Sequence, residues 1–289
     1  MAINLASKFE KKVSERFSIG SKTDKYCGHD YNFNGVKTIQ VLSVDTVPTT
    51  TYTRNGTNRF GSLTELGDTK QEFTLTQDKA FTFSIDAGNA SEQFNIKQAN
   101  ACLKREIDEV ITPEIDKYRL AKWVAGNGLS SGKTITTSND GALTSTNIVK
   151  KIFEANAAMS DKLVPVNGRV LFIPELTFVQ FKLADVVMGA DNIAEENIRR
   201  GYRGTIDGVD VVTVPSSIMP TGVNFILKHK SATVDAMKLK NYRVHKNPMG
   251  VDGDVVEGRY IYDSFVKDSA CDGIYISTGS TSGGSSVGT

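Results

Sequence analysis

Residues 89–124 read NASEQFNIKQANACLKREIDEVITPEIDKYRLAKWV. Ala99, Leu103, Ile107, Ile111, Ile115 and Tyr118 recur at three- and four-residue spacing, which lines one helical face with apolar groups. Lys104, Arg105, Asp108 and Glu109 point elsewhere. Asn89 with Glu92 three positions on forms a capping-box-like start and Gly126-Asn127-Gly128 a stop, so the spacing predicts an amphipathic helix about 50 Å long. A helix of that length crosses a whole domain. Pro113 lacks a backbone donor and crowds the turn before it, so a kink is expected at Thr112-Pro113, or a break with Thr112 capping a second helix.

Around this stretch the chain has 289 residues, enough for one large or two smaller domains with a substantial core. Its 34 basic and 33 acidic residues leave a formal charge of +1, which argues against a dedicated nucleic-acid or membrane-surface binder. Cys27, Cys102 and Cys271 are odd in number and far apart, which fits reduced thiols better than a disulfide framework. No apolar run approaches the roughly 18 residues of a membrane span, and MAINLASKFEKK lacks the apolar core of a signal peptide. A protein made and used in cytoplasm is expected.

Upstream, Leu5, Phe9, Val13 and Phe17 recur among Lys8, Lys11, Lys12 and Arg16, the pattern of a short basic amphipathic helix. Residues 18–35 are polar and glycine-punctuated and read as an extended arm, ordered only by lying on something else. Cys27-Gly28-His29-Asp30 has half the make-up of a metal site but no second cluster at zinc-like spacing. From Lys37 to Asp86 the period changes to two, with Ile39 and Val41, then Phe73 and Leu75, then Phe81, Phe83 and Ile85, as strands of a hairpin-like element. Its connecting stretch VPTTTYTRNGTNRFGSLTELGDT is too polar for a core and too long for an ordinary turn. Such a hairpin is either floppy or covered by a neighbouring molecule, and Arg54, Arg59 and Phe60 are the side chains expected to meet a partner.

Downstream, GNGLSSGKT at 126–134 invites comparison with a phosphate-cradling loop, but Asn127 stands where the first glycine belongs and a helix precedes it. A second helix is expected from Ser145, with Ser-Thr capping and Val149, Ile152, Phe153, Asn156 and Met159 on one side. Arg169–Ile173 suits a buried strand, and Pro174 opens a third helix carrying Leu176, Val179, Leu183 and Val186. Residues 188–204, with Glu195, Glu196, Arg199 and Arg200, read as a charged loop. Asp207-Gly208 marks a hairpin turn and Pro220-Thr-Gly222 another. Strands follow at 224–227, 242–244, 258–266 and 273–277, before a tail expected to be disordered.

The chain carries little that resembles a catalytic centre. His29, His229 and His245 lie in no pattern with an activated nucleophile, and Asp207/Asp210 or Glu195/Glu196 are ordinary turn and loop carboxylates. No catalytic, cofactor or metal residue is assigned.

Several stretches taken in order carry a resemblance. They are the basic arm, the two-strand extension from Lys37 to Asp86, and the long helix ending in Pro113-Glu-Ile-Asp-Lys-Tyr118. After these come Gly168-Arg-Val-Leu-Phe-Ile-Pro-Glu175, Gly204-Thr-Ile-Asp-Gly-Val-Asp-Val-Val-Thr213, and Gly258-Arg-Tyr-Ile-Tyr-Asp-Ser-Phe-Val266 before Gly273-Ile-Tyr275. This ordered set resembles the major capsid proteins of tailed bacteriophages, which have the α+β Hong Kong 97-type fold.

The resemblance implies an N-terminal arm (1–36), an extended loop (37–88), a peripheral domain with a spine helix (89–139), an axial domain (140–232), a return to the peripheral domain (233–278) and a tail (279–289). It implies hexamers and pentamers of an icosahedral-type shell, assembled in the bacterial host cytoplasm around double-stranded DNA contacted non-specifically. No long helical scaffold segment precedes the arm, so a separate scaffolding protein or a removed segment is expected, with portal and decoration proteins as further partners. Subunit contacts are expected at Arg54, Arg59, Phe60, Lys104, Arg105, Asp108, Glu109, Arg199 and Arg200. The rivals are an encapsulin-like nanocompartment shell, an enzyme using the Gly132-Lys133 loop, and a tail-tube protein.

Overall fold

The computed structural model describes residues 20–28, 31, 37–88, 99–184 and 205–279. The strands are β1 (Thr38–Val44), β2 (Asp68–Thr74), β3 (Gln77–Asp86), β4 (Thr136–Asn139), β5 (Arg169–Pro174), β6 (Thr205–Ile206), β7 (Val209–Val214), β8 (Val223–His229), β9 (Thr233–Lys246), β10 (Gly253–Val266) and β11 (Ile274–Thr278). The helices are α1 (Ala99–Glu106), α2 (Thr112–Val124), α3 (Ile148–Asp161) and α4 (Glu175–Lys182).

A six-stranded mixed sheet in the order β4-β11-β8-β5-β7-β6 forms the centre. β5, β7 and β8 are near-continuous apolar runs because both faces of this sheet are covered. On one face Ile148, Ile152, Phe178 and Phe181 of α3 and α4 meet Leu171, Ile173, Phe225 and Leu227. On the other, Leu120 and Trp123 of α2 meet Val170, Phe172, Ile226 and Ile276. The period of two sends neighbouring residues of β5 to opposite layers. Each large side chain buried this way stabilises the fold by about 1.5–3 kcal/mol.

The second sheet, β3-β10-β9, is covered on one face by the long helix. Ile111 and Ile115 pack on Tyr260 and Tyr262, and Ala99 on Val256 and Ile85. Gly258 is required in that row: a Cβ there would lie 2.3 Å from the Phe81 ring and 2.7 Å from Tyr242. β1 and β2 form a separate antiparallel ladder from Thr38↔Thr74 to Val44↔Asp68.

Several expectations hold. The apolar stripe of the long helix faces the core, Arg169–Pro174 is buried along its whole length, and Asp207 (φ 50°) and Gly208 (φ 76°) form the β6–β7 turn. Others are corrected. Pro113 neither breaks nor caps the helix: Ile107–Ile111 form a π turn in which Thr112 N–H bonds Ile107 O, and Thr112 itself is helical. The wider turn accommodates a proline that cannot donate and would crowd the carbonyl four residues back. β3 does not belong to the hairpin but pairs with β10, with Tyr262↔Gln77 and Gly253↔Asp86 at its ends.

Phe153 is 44% exposed, and α4 buries Phe178 and Phe181 while Leu176, Val179 and Leu183 face outward, the reverse of the expected side. Asn147, not a serine or threonine, precedes α3, and its side chain makes no cap bond to the helix. β9 and β10 are each 14 residues long, well beyond the short strands expected. The N-terminal helix, the capping box at Asn89 and Glu92, His29, Asp30, Val186, the loop at 188–204 and the tail beyond Gly279 lie outside the described residues.

Candidate assembly surfaces

The hairpin has two unlike ends. At its base Phe73 is fully buried and stacks on Phe265 at 4.9 Å. Gln71 Nε2 donates to Gly128 O (2.8 Å) and Val266 O (2.9 Å), and its Oε1 accepts from Asp268 N–H (3.0 Å). These bonds fix the direction in which the hairpin leaves the body. Past Val44↔Asp68 a last bond joins Asp45 N–H to Gly67 O (2.9 Å).

The stretch beyond is irregular yet internally bonded, through Thr53 N–H to Arg59 O (3.1 Å) and Thr50 Oγ1 to Phe60 O (3.0 Å). Tyr52 and Phe60 meet edge to face at 5.0 Å. Leu42, Val44, Val47, Tyr52, Phe60, Leu63 and Leu66 are all exposed, Phe60 to 84%. Seven large apolar side chains on one projecting element exceed the scattered exposure of an ordinary surface. Arg54, Arg59 and Phe60 are brought together at this tip, with Arg59 Nε donating to Gly56 O (3.2 Å).

On the long helix Lys104 is exposed, Asp108 is half-buried and Arg105 pairs with Glu109 at 3.5 Å; Val110, on the π turn, is 49% exposed. These groups lie far along the chain from the hairpin tip, and Arg199 and Arg200 lie outside the described residues.

One cluster was missed in the sequence. Residues 21–28 form a strap laid into their own subunit, so this part of the arm lies on the body of its own chain. Asp116, buried on α2, accepts from Ser21 Oγ (2.8 Å), Lys22 N–H (2.7 Å) and Thr23 Oγ1 (2.6 Å). Arg119, one turn on, donates to Thr23 Oγ1 (3.1 Å) and Asp24 Oδ1 (3.0 Å) and approaches Asp235 at 3.4 Å. Lys228 lies 3.6 Å from the centre of the Trp123 ring and donates to Thr233 Oγ1 (2.6 Å). Burial lowers the Lys228 pKa below the usual lysine range and, with Asp235 nearby, pushes the Cys27 thiol well up. Cys27 is thus a buried thiol packed in the core. The available signal was Asp116 and Arg119 three apart beside the apolar stripe of α2.

The loop 126–134 leaves α2 and runs toward β4, and Asp268 occupies its donors: Ser130 N–H and Oγ bond this carboxylate at 2.9 and 2.5 Å. An internal anion already sits where a phosphate would be held. His229 Nδ1 lies 2.7 Å from Ser231 Oγ, a pairing not foreseen, but it also accepts from Ser231 N–H and caps the turn at Lys230–Ala232. Asp207 accepts from Asn156 Nδ2 (2.7 Å) at the β6–β7 turn. Among the described residues no group of three or more His, Cys, Asp or Glu is placed to hold a metal, and no helix is long and apolar enough to cross a membrane.

No family model matches the sequence, and no curated protein matches it. Solved structures do match. A protein of Mycobacterium phage Che8 superposes with a TM-score of 0.75 at 16% identity, over 96% of this chain and 98% of its own. The asymmetric unit of the bacteriophage PhiM1 mature capsid gives 0.70 at 12% identity, over 96% and 92%. A virus-like particle from Pyrococcus furiosus gives 0.54 at 7% identity, over 89% and 92%. The chain therefore has a mixed helix-and-sheet fold of the kind found in phage capsids.

Proposed function

We propose that this chain is a phage major capsid protein, a structural and non-catalytic subunit that self-assembles into a closed shell. One observation carries the proposal: a hairpin bonded tightly at its base projects an exposed apolar tip that none of the described residues covers. Likeness to capsid structures over nearly the whole chain supports it.

In this reading residues 1–36 are the arm, 37–88 the extended loop and 89–139 the spine-helix part of a peripheral domain completed by 233–278. Residues 140–232 form the axial domain, with a tail from 279. Heterologous contacts repeated around five- and six-fold positions close into rings, and rings into a container. Arg54, Arg59 and Phe60 at the tip, Lys104, Arg105, Asp108 and Glu109 along the long helix, and Arg199 and Arg200 meet neighbouring copies. Near-neutral charge suits a wall that encloses double-stranded DNA without tracking its phosphates. Scaffolding, portal and decoration proteins are its further partners, and the shell assembles in the host cytoplasm.

Electron microscopy of the expressed protein, alone or with a scaffold, tests this directly. Closed particles or capsomers are expected; only monomers under every assembly condition would overturn it. The likeness to the Pyrococcus furiosus particle favours a second reading, a nanocompartment shell. Particles that co-purify with a protein cargo and no DNA would select it.

A further inference from the structure

Building on the shell assignment, we infer that neighbouring subunits meet within each ring by seating an apolar ridge on α4 in a groove beside α3 of the next copy. Both helices lie in one layer over the six-stranded sheet, and each turns only one side to it. On α4 that side is Phe178 and Phe181, stacked at 5.9 Å, while Leu176 (74% exposed), Val179 and Leu183 line the other at three- and four-residue steps. This ridge is about 10 Å long by helical rise. On α3, Val149, Phe153 and Ala157 floor a groove of about 520 Å³ with Lys150 and Glu154 at its rim. The groove runs about 12 Å along the helix, long enough to take the ridge.

Shape selects the occupant. Two grooves brought together across a two-fold axis leave both unfilled, and two ridges touch only along a line; ridge in groove buries both. A ridge and a groove on different helices of one subunit fit either twice across a two-fold axis or head to tail, and only the head-to-tail contact propagates around the rings of the proposed shell. Charge agrees. The rim carries Lys150 and Glu154, 3.7 Å apart, with Lys151 also on Glu154 at 2.9 Å, and the ridge is flanked by Glu175, which accepts from Thr213 Oγ1 (2.7 Å), and by Lys182. Docking with the Glu175 end toward Lys150 complements both charges, and the reverse opposes them. So few apolar side chains fall far short of the roughly 800 Å² per partner of a free-standing complex, so the contact persists only where ring closure makes each subunit hold two at once. A second copy of this chain meets that condition.

Two variants and one cross-link test the contact. Phe153→Asp and Leu176→Asp are each expected to lower the yield of rings and shells about ten-fold or more, with the subunit's circular dichroism and melting temperature unchanged. A chain carrying both Phe153→Cys and Val179→Cys, oxidised after assembly, is expected to give a ladder of cross-linked multimers. Wild-type shell yield from both aspartate variants would overturn the contact yet leave the shell assignment standing. Dimers from Phe153→Cys alone would show a two-fold contact instead. Equal shielding of a Val179→Cys thiol from maleimide in free subunits and in shells would show that the chain's own residues cover the ridge. Failure of the unaltered chain to assemble at all would remove both proposals.

Discussion

The strap at residues 21–28 and the hairpin tip at residues 46–66 are both polar, irregular and outside the main sheets, yet one is built into its own subunit and the other is not. Thr23 and Cys27 in the strap are buried, and Asp116 and Arg119 on α2 bond the polar groups of Ser21, Lys22, Thr23 and Asp24. At the tip the polar groups bond one another and the apolar ones face out. Polar composition alone therefore does not tell whether a stretch needs a partner molecule. What decides is whether the body offers buried groups whose hydrogen bonds that stretch completes.

The contrast is open to attack from the strap side first. Asp116→Ala removes the acceptor for three strap donors and leaves Arg119 short of a counter-charge, so a loss of about 3–5 kcal/mol is expected in chemical denaturation. A loss under about 1 kcal/mol would mean that the strap is only loosely attached.

At the hairpin base, Gln71→Leu deletes three hydrogen bonds and strands the carbonyls of Gly128 and Val266, and is expected to cost about 1–3 kcal/mol. At the tip, Phe60→Ala should change subunit stability by less than about 0.5 kcal/mol while reducing shell yield. A tip substitution as costly to the free subunit as the base one would erase the distinction.

The smallest effect concerns pH. Burial pushes the Asp140 carboxyl up, but the hydroxyls of Ser277 and Ser138 and the Lys151 ammonium outweigh it and hold it below the usual carboxylate range. A depressed carboxylate stabilises fully above its unfolded pKa, near 4, and that stabilisation is lost as pH falls through the folded value. The melting-temperature gap between the native chain and Asp140→Asn should therefore narrow as pH drops from about 6 to about 3. A constant gap would show that the charge contributes nothing there.

What the sequence made legible was local. The long helix announced its buried face, β5 its double burial, and Asp207-Gly208 its turn, because each depends on residues within one element. Alternation correctly marked β3 as a strand, but its partner β10 lies more than 150 residues away, and no local signal names it. On α4, Leu176, Val179 and Leu183 form one apolar stripe and Phe178 with Phe181 another, so periodicity alone could not choose; the bulk of the aromatic rings fills the core.

β9 and β10 looked short because Arg243, His245, Glu257 and Arg259 line the face that no described helix covers, which breaks up the apolar pattern. The strap cluster arises from bonds between segments more than 90 residues apart. Of the residues proposed to meet a neighbouring copy, Phe60 was legible as exposed because a long polar tip between two strands has few roles inside a subunit.

Replacing residues 46–66 with a short turn, while keeping the β1–β2 ladder and the Asp45–Gly67 bond, isolates the tip. The shortened chain should melt as the intact subunit does and sediment as a folded monomer that forms no shells under conditions where the intact chain does. Shells at normal yield from the shortened chain would contradict the view that this element is ordered by a neighbouring copy.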